Sequence, residues 1–278
     1  MRAAVPEFDL VVVSTLDEAL QLLADGWRPF AGGTDVMVGF NAGKLTWKKF
    51  FSIWHLDELR GISVSDEEIS LGALTTYTDV LANETLVREF PNLARAARET
   101  GAVAIQNRGT LGGNVANASP AADSPPALLT YGASLELISP SGKRRVPYDG
   151  FHTGYKQMQM QPGELVARII LPRVSYGRVH YYRKVGTRLA QAISKVVMSA
   201  VGLHDGNRFT EVAIAMGSVA PIPLRCHKTE EVLIHGGDAS EALRADISPI
   251  DDVRSTRDYR MRVSENLLKE FIRKARGT

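Results

Sequence analysis

Residues 110–126 read TLGGNVANASPAADSPP. These seventeen residues hold no Lys or Arg, no aromatic side chain and a single acid, Asp123. Surface loops are richer in charge than this, and core strands are richer in Val, Ile and Leu. A segment so small, polar and backbone-rich suits a place where the main chain closes on a large object. It ends on Asp123-Ser124-Pro125-Pro126, where a capping acid or hydroxyl ahead of Pro in the first turn starts PALLTYG as a helix.

Working outward, TYTDVLANETLVREF and PNLARAARET carry apolar residues at three- and four-residue spacing, with Pro91 at their join. On the other side, SLELISPSGKRRVPY predicts a hairpin with Leu135 and Leu137 on one face, and ELVARIILP a strand ending at Pro172. Nearer the start, a strand over Phe8 to Val13 precedes a capping box, Thr15-x-x-Glu18, and a helix with Leu16, Ala19, Leu20 and Leu23 on one stripe, stopped by Gly26. A strand from Trp27 to Ala31 then runs through Gly32-Gly33 into TDVMVGF, a second helix beginning near Thr34 or Asp35. Alternation of this kind pairs strands in parallel through helical crossovers. FFSIWHL and DELRGISVSDEEISLGALTT add strands.

Between Arg173 and Val179 the pattern resets, which marks a domain boundary. Beyond it HYYRKVGTRLAQAISKVVMSAVGL, EVAIAMGSVA and VSENLLKEFIRKA form a smaller α+β unit. The last 28 residues hold eight Arg or Lys and five acids, a mixture that fits a solvated helix face.

At 278 residues the chain has length for two domains or one large one. With 44% hydrophobic and 23% charged residues its composition is ordinary for a globular protein, and a net charge of +2 gives no reason to expect nucleic acid as the main partner. The apolar run Leu10 to Val13 is too short for a signal-peptide core, and no stretch approaches a membrane span, so a cytoplasmic protein is expected. One cysteine, Cys226, excludes an internal disulfide and a cluster held by this chain alone. Six histidines without HxH or HExxH spacing predict no metal site.

Two Gly-Gly segments stand out, Phe30-Ala31-Gly32-Gly33-Thr34-Asp35 and Thr110-Leu111-Gly112-Gly113-Asn114, each read as a strand giving way to a turn. Neither fits GxGxxG or a P-loop. Paired glycines let backbone N–H groups approach a ligand, and a helix N-terminus adds about half a positive charge, so phosphates are the natural guests. Thr34, Thr110, Asn114 and Asn117 add hydroxyl and amide donors. Two such loops about eighty residues apart suit the two halves of a dinucleotide joined by a central pyrophosphate; either alone is also an ordinary tight turn.

AGGTD, RGTLGGN with ASPAADSPP, FHTGYK, YRKVGTR with AISKV, VAPIPLRC at residues 219–226 and DVRSTRDYR, in this order, resemble the FAD-binding medium subunit of the molybdenum hydroxylases, with the nearest likeness to bacterial xanthine dehydrogenases. The resemblance runs over essentially the whole chain. It implies an α+β protein. Residues 1–174 would form a FAD-binding domain of the vanillyl-alcohol-oxidase or PCMH type, with subdomains of about 1–55 and 56–174 and a mostly antiparallel sheet in the second. Residues 178–278 would form a C-terminal domain of the CO dehydrogenase flavoprotein kind. It implies FAD contacts at Pro29, Phe30, Ala31, Gly32, Gly33, Thr34, Asp35 and Val36, at Thr110, Leu111, Gly112, Gly113, Asn114 and Asn117, and at Asp123, Val166 and Lys184. For the last three, a helix cap, a core strand residue and a surface lysine are equally open readings.

There are departures. Val103-Ala104-Ile105-Gln106-Asn107 stands where many relatives have Pro-Gln-Ile-Arg-Asn, and Thr100 stands near where some animal relatives set a Phe against the flavin ring. The single cysteine sets the chain apart from the 4-hydroxybenzoyl-CoA reductase branch, whose subunit carries a further cluster. The function implied is an electron-transfer subunit in a hetero-oligomer. A large partner would hold molybdopterin, a small one two [2Fe-2S] clusters, and the flavin would pass electrons to NAD or another acceptor, with no catalytic acid, base or nucleophile on this chain. The rival expectations are a free-standing FAD oxidoreductase and a cofactor-free assembly or regulatory protein.

Overall fold

The structure is a computed structural model that describes residues 7–173, 178–188, 191–206 and 208–277. The first unit contains β1 (Asp9–Val12), α1 (Leu16–Ala24), β2 (Arg28–Phe30), α2 (Thr34–Asn41) and β3 (Lys49–Ser52). Its strands lie in the order β1-β3-β2, all parallel, as the crossover pattern predicts. Thr15 caps α1 by accepting from the Glu18 N–H at 3.2 Å, while the Glu18 carboxylate accepts from Ser14 N rather than from Thr15, so the box closes one residue early. Gly33, left-handed at φ +76°, caps α2. That conformation is cheap only for glycine.

The second unit is built on β4 (Ile62–Val64) and β5 (Glu68–Gly72), then a helical run, α3 (Tyr77–Ala82), α4 (Glu84–Glu89), α5 (Pro91–Glu99), α6 (Val103–Gln106), α7 (Leu111–Ala116) and α8 (Ser124–Thr130). It returns through β6 (Ser134–Ser139), β7 (Gly142–Pro147), the small hairpin β8 (His152–Gly154) and β9 (Gln157–Met158), and β10 (Leu165–Pro172). The sheet order is β4-β5-β10-β6-β7, antiparallel throughout. β10 is buried on both faces. Val166, Ile169 and Leu171 join the core beneath the helices, and Leu165 and Ala167 join the core shared with α1 and β3.

TYTDVLANETLVREF is not one helix: Asn83 closes α3 and, by accepting from Leu86 N at 3.0 Å, caps α4. The second glycine pair also differs from the expected strand-to-turn setting. It lies in the first turn of α7, after the short helix α6, and only an isolated bridge between Thr76 and Thr110 remains of strand pairing there. Every residue of α8 is buried. The expected side-chain caps are absent, because the Asp123 side chain makes no cap bond and the Ser124 hydroxyl turns to Asn114.

The third unit carries the antiparallel sheet β11 (Val179–Val185), β12 (Val196–His204), β13 (Phe209–Gly217) and β14 (Leu224–Arg225), followed by α9 (His227–His235), α10 (Ala239–Asp246) and the twenty-residue α11 (Arg257–Arg276). One face of β12 presents Val196, Met198 and Ala200 to α11, and the other presents Val197 and Val201 to the second unit. Cys226 is fully buried at the start of α9. Residues 174–177, within the boundary expected from sequence, lie outside the described residues. No described helix is long and apolar enough to cross a membrane.

Candidate functional site

The first glycine segment ends β2 and starts α2. Among the described residues no protein acceptor takes the N–H of Gly32, Gly33, Thr34, Asp35 or Val36; the first α2 bond runs from Met37 N to Gly33 O. A run of free donors at the positive end of a helix is an anion site by its electrostatics. The second segment is different. Leu111 N donates to Thr75 O, Gly112 N to Ala73 O, Gly113 N to the Thr110 hydroxyl and Asn114 N to Thr110 O. Its main-chain donors are already engaged, so its glycines serve close packing. A Cβ on Gly112 would stand 2.7 Å from the Ala73 carbonyl oxygen.

The two segments meet. A Cβ on Gly32 would lie 1.6 Å from the Arg108 carbonyl oxygen, so only glycine allows the first loop to rest on the chain entering α7. Gly109 in turn lies against the Tyr77 ring. Arg108 places its guanidinium 3.7 Å from the centre of the Trp54 ring, a cation–π contact that fixes the outer side of the loop.

A cleft of about 650 Å³ opens beside these loops, within the range of ligand pockets. Asp35, Asn114, Asn117 and Asp123 line one wall, Tyr155 stands at the hairpin, and Ile193, Ser218, Ile250 and Arg254 come from the third unit. Residues 110–126 therefore supply much of one wall. Ser218 N donates to Pro120 O at 2.7 Å and the Ser194 hydroxyl to Ala121 O at 3.3 Å, holding the third unit against it.

Asp123 sits at the bottom with 9% of its surface exposed. Its Oδ2 accepts from Lys184 Nζ at 2.6 Å, and Lys184 also donates to Glu99 O at 3.0 Å. Burial lifts the Asp123 carboxyl to about 6, against the downward pull of Lys184. Among the described residues the other oxygen, Oδ1, is buried without a partner. An orphaned acceptor in a cleft wall calls for a donor from outside the chain. Tyr77 lies alongside, its hydroxyl pushed well above the usual range by burial and then by Asp123 and Asp35.

Of the residues expected from sequence, Asp35, Asn114, Asn117 and Asp123 line the cleft, with Lys184 tied to Asp123. Pro29 and Phe30 end β2 and deliver the first loop; Thr110 and Leu111 are buried in the α7 turn. Val166 is 3% exposed in the core with Leu111 and Val115, so its side chain supports α7 from behind. The Thr100 hydroxyl donates to Ala96 O at 2.7 Å.

Sequence reading assigned no role to Tyr77, Lys156 or the Arg260–Asp252 pair. Arg260 is 3% exposed and donates to Lys195 O, Ser218 O and Asp252, each at 2.7 Å. Burial opposes ionisation of Asp252, yet the Arg254 N–H and the Arg260 guanidinium hold it at about 2. The signal of the Arg260–Asp252 pair was the charge-dense DVRSTRDYR, most of which is exposed as a solvated face while Arg260 alone turns inward to be buried.

Comparison with known proteins places these features in a family. Residues 6–174 match the FAD binding domain in molybdopterin dehydrogenase, and residues 180–275 the CO dehydrogenase flavoprotein C-terminal domain. The chain is 31% identical to the xanthine dehydrogenase FAD-binding subunit of Escherichia coli O157:H7 over 94% of each chain. It is 33% identical to the glyceraldehyde dehydrogenase medium chain of Sulfolobus acidocaldarius, over 96% of this chain and 98% of that one. Carbon monoxide dehydrogenase from Hydrogenophaga pseudoflava, solved without the Mo-pyranopterin moiety of its cofactor, superposes with a TM-score of 0.91 at 26% identity, over 95% and 96% of the chains.

Proposed function

Because the chain belongs to the FAD-binding subunits of the molybdenum hydroxylase family, we propose that it is the electron-transfer flavoprotein subunit of a multisubunit dehydrogenase. It receives electrons from [2Fe-2S] clusters on a small partner and delivers them to NAD or another acceptor, while a large molybdopterin-bearing partner holds the substrate. We assign it first to a cytoplasmic complex of xanthine dehydrogenase type, on the 31% identity across nearly the whole chain. A glyceraldehyde-oxidising complex is the second reading, on the 33% identity to that medium chain.

The observation that carries the cofactor assignment is the pairing of unused donors and an unused acceptor around one cleft. The free N–H groups of residues 32–36 suit a diphosphate, and Asp123 Oδ1 suits an N–H or O–H of the same ligand. FAD, when bound, supplies the redox chemistry. The chain binds and orients it: the Gly32–Arg108 contact holds the anion loop on α7, and the Asp123–Lys184 pair keeps a charged but balanced floor under the cleft.

The test is a visible spectrum of the purified chain after addition of FAD and removal of the excess, followed by heat release and identification of the flavin. One FAD per chain is the expected result. Absence of flavin from the correctly folded chain would overturn the reading and favour a cofactor-free scaffold. Turnover of an organic substrate without partners would favour a free-standing oxidoreductase.

A further inference from the structure

We propose that Lys156 is a binding residue for the anionic diphosphate of the cofactor, carried to the first glycine loop by the β8–β9 hairpin; the proposal rests on the FAD reading above. The hairpin is built to deliver this one side chain. Lys156 adopts φ +58°, a left-handed conformation uncommon outside glycine, at the turn after Tyr155. The hairpin is pinned to α7 by His152, 5% exposed, whose Nε2 lies 3.0 Å from Val115 O. Just past the end of α7, the Lys156 ammonium donates to the main-chain oxygen of Asn117 and, at 2.7 Å, to its Oδ1.

Across the cleft wall stands Asp35, in the first turn of α2 among the free N–H groups. Lys156 attracts its carboxylate, and the Asn117 side chain also favours its charged form. The ammonium thus sits between the two elements that carry the glycine pairs, at the rim of the anion site. Other cations of the cleft are matched within the protein: Lys184 by Asp123, and Arg254 and Arg260 by Asp252. Asp35, by contrast, keeps an exposed edge and can turn away to solvent. Crowding raises the Asp35 carboxyl and lowers the Lys156 amine, so neither is fully settled by the other. A diphosphate in the nest would settle the lysine and displace the carboxylate.

The measurement is FAD affinity of the apo-chain by flavin fluorescence, titrated at several salt concentrations. Lys156→Met is expected to weaken FAD binding about tenfold and to lose most of the salt dependence, because a screened charge pair has been removed. Lys156→Arg is expected to restore both. Unchanged affinity in Lys156→Met overturns the proposal. So does weaker binding with the wild-type salt dependence, which would make Lys156 a purely structural latch between α7 and Asp35. Lys156→Gln, which keeps a donor for Asn117, serves the same comparison if the Met variant does not fold. Wild-type chain that binds no FAD at all overturns the cofactor reading, a different result from a salt-insensitive lysine variant.

Discussion

At Asp123 burial raises the carboxyl while Lys184 draws it toward the charged form. Its folded pKa, about 6, lies above the ordinary 3.8. Between pH 4 and 6 the unfolded chain ionises this group while the folded protein resists, so stability contributed below pH 4 is withdrawn as pH rises and is gone above about 6. Two pH units correspond to up to ~3 kcal/mol. In urea unfolding of the apo-chain, wild type is therefore expected to lose stability relative to Asp123→Asn between pH 4 and 7; parallel curves would contradict this. Asp123→Ala is the harsher change, leaving Lys184 buried without its carboxylate. A loss of about 3–5 kcal/mol at pH 7 is expected. None of this was legible in sequence, where Asp123 read equally well as a helix cap. Its partner Lys184 lies sixty-one residues on and depends on β11 packing beside α5, a contact that local pattern does not encode.

Among the elements, the glycine segments look alike in sequence and differ in duty. At Gly32 an added methyl collides with a backbone carbonyl that cannot move aside unless the two loops part. Gly32→Ala is expected to abolish FAD binding and to lower the urea midpoint clearly. At Gly113 the nearest obstacle is the Thr110 hydroxyl, 2.8 Å from the added Cβ, and the position is helical, where Ala is favoured over Gly by about 1 kcal/mol. Gly113→Ala should therefore shift stability by less than about 1 kcal/mol and leave the flavin-to-protein ratio near that of wild type. Equal loss of flavin in both variants would show that the second pair matters to flavin binding as much as the first. Sequence pattern located β1, α1, β2, α2, the β6–β7 hairpin and β10, because their apolar periods are regular and their stops are Gly or Pro. It misread the segment before Thr110, where small residues carry little periodicity, and it ran α3 into α4 because Asn83 serves as a stop and a start at once.

For the molecule as a whole, the third unit is joined to the second by a buried polar network. Asn92 Nδ2 donates to the Ser199 hydroxyl and to Ala200 O, each at 3.0 Å; Thr130 and Ser199 share a hydroxyl bond at 2.8 Å; and the Tyr131 hydroxyl accepts from Asn92 N and meets His180 Nδ1 at 3.0 Å. Removing one partner strands the rest, which costs about 1–3 kcal/mol. Asn92→Ala is expected to lower Tm by ~5 °C and to broaden the calorimetric transition as the units begin to melt separately. A sharp, unshifted transition would mean the apolar contacts alone couple them. From sequence, VVMSAVGL shows an apolar strand but not that it is covered on both sides, and Ser199 looks like a weak point when it is the tie between units.

Cys226 gives the chain a chemical reporter. The thiol is fully buried, and burial pushes its pKa well up, so little thiolate is available to a maleimide while the third unit stays closed. New cysteines for spin or fluorescent probes can be placed on the surface without first removing the native one. The rate at which Cys226 itself becomes labelled then times the opening of the C-terminal unit, independently of any colour change at the flavin.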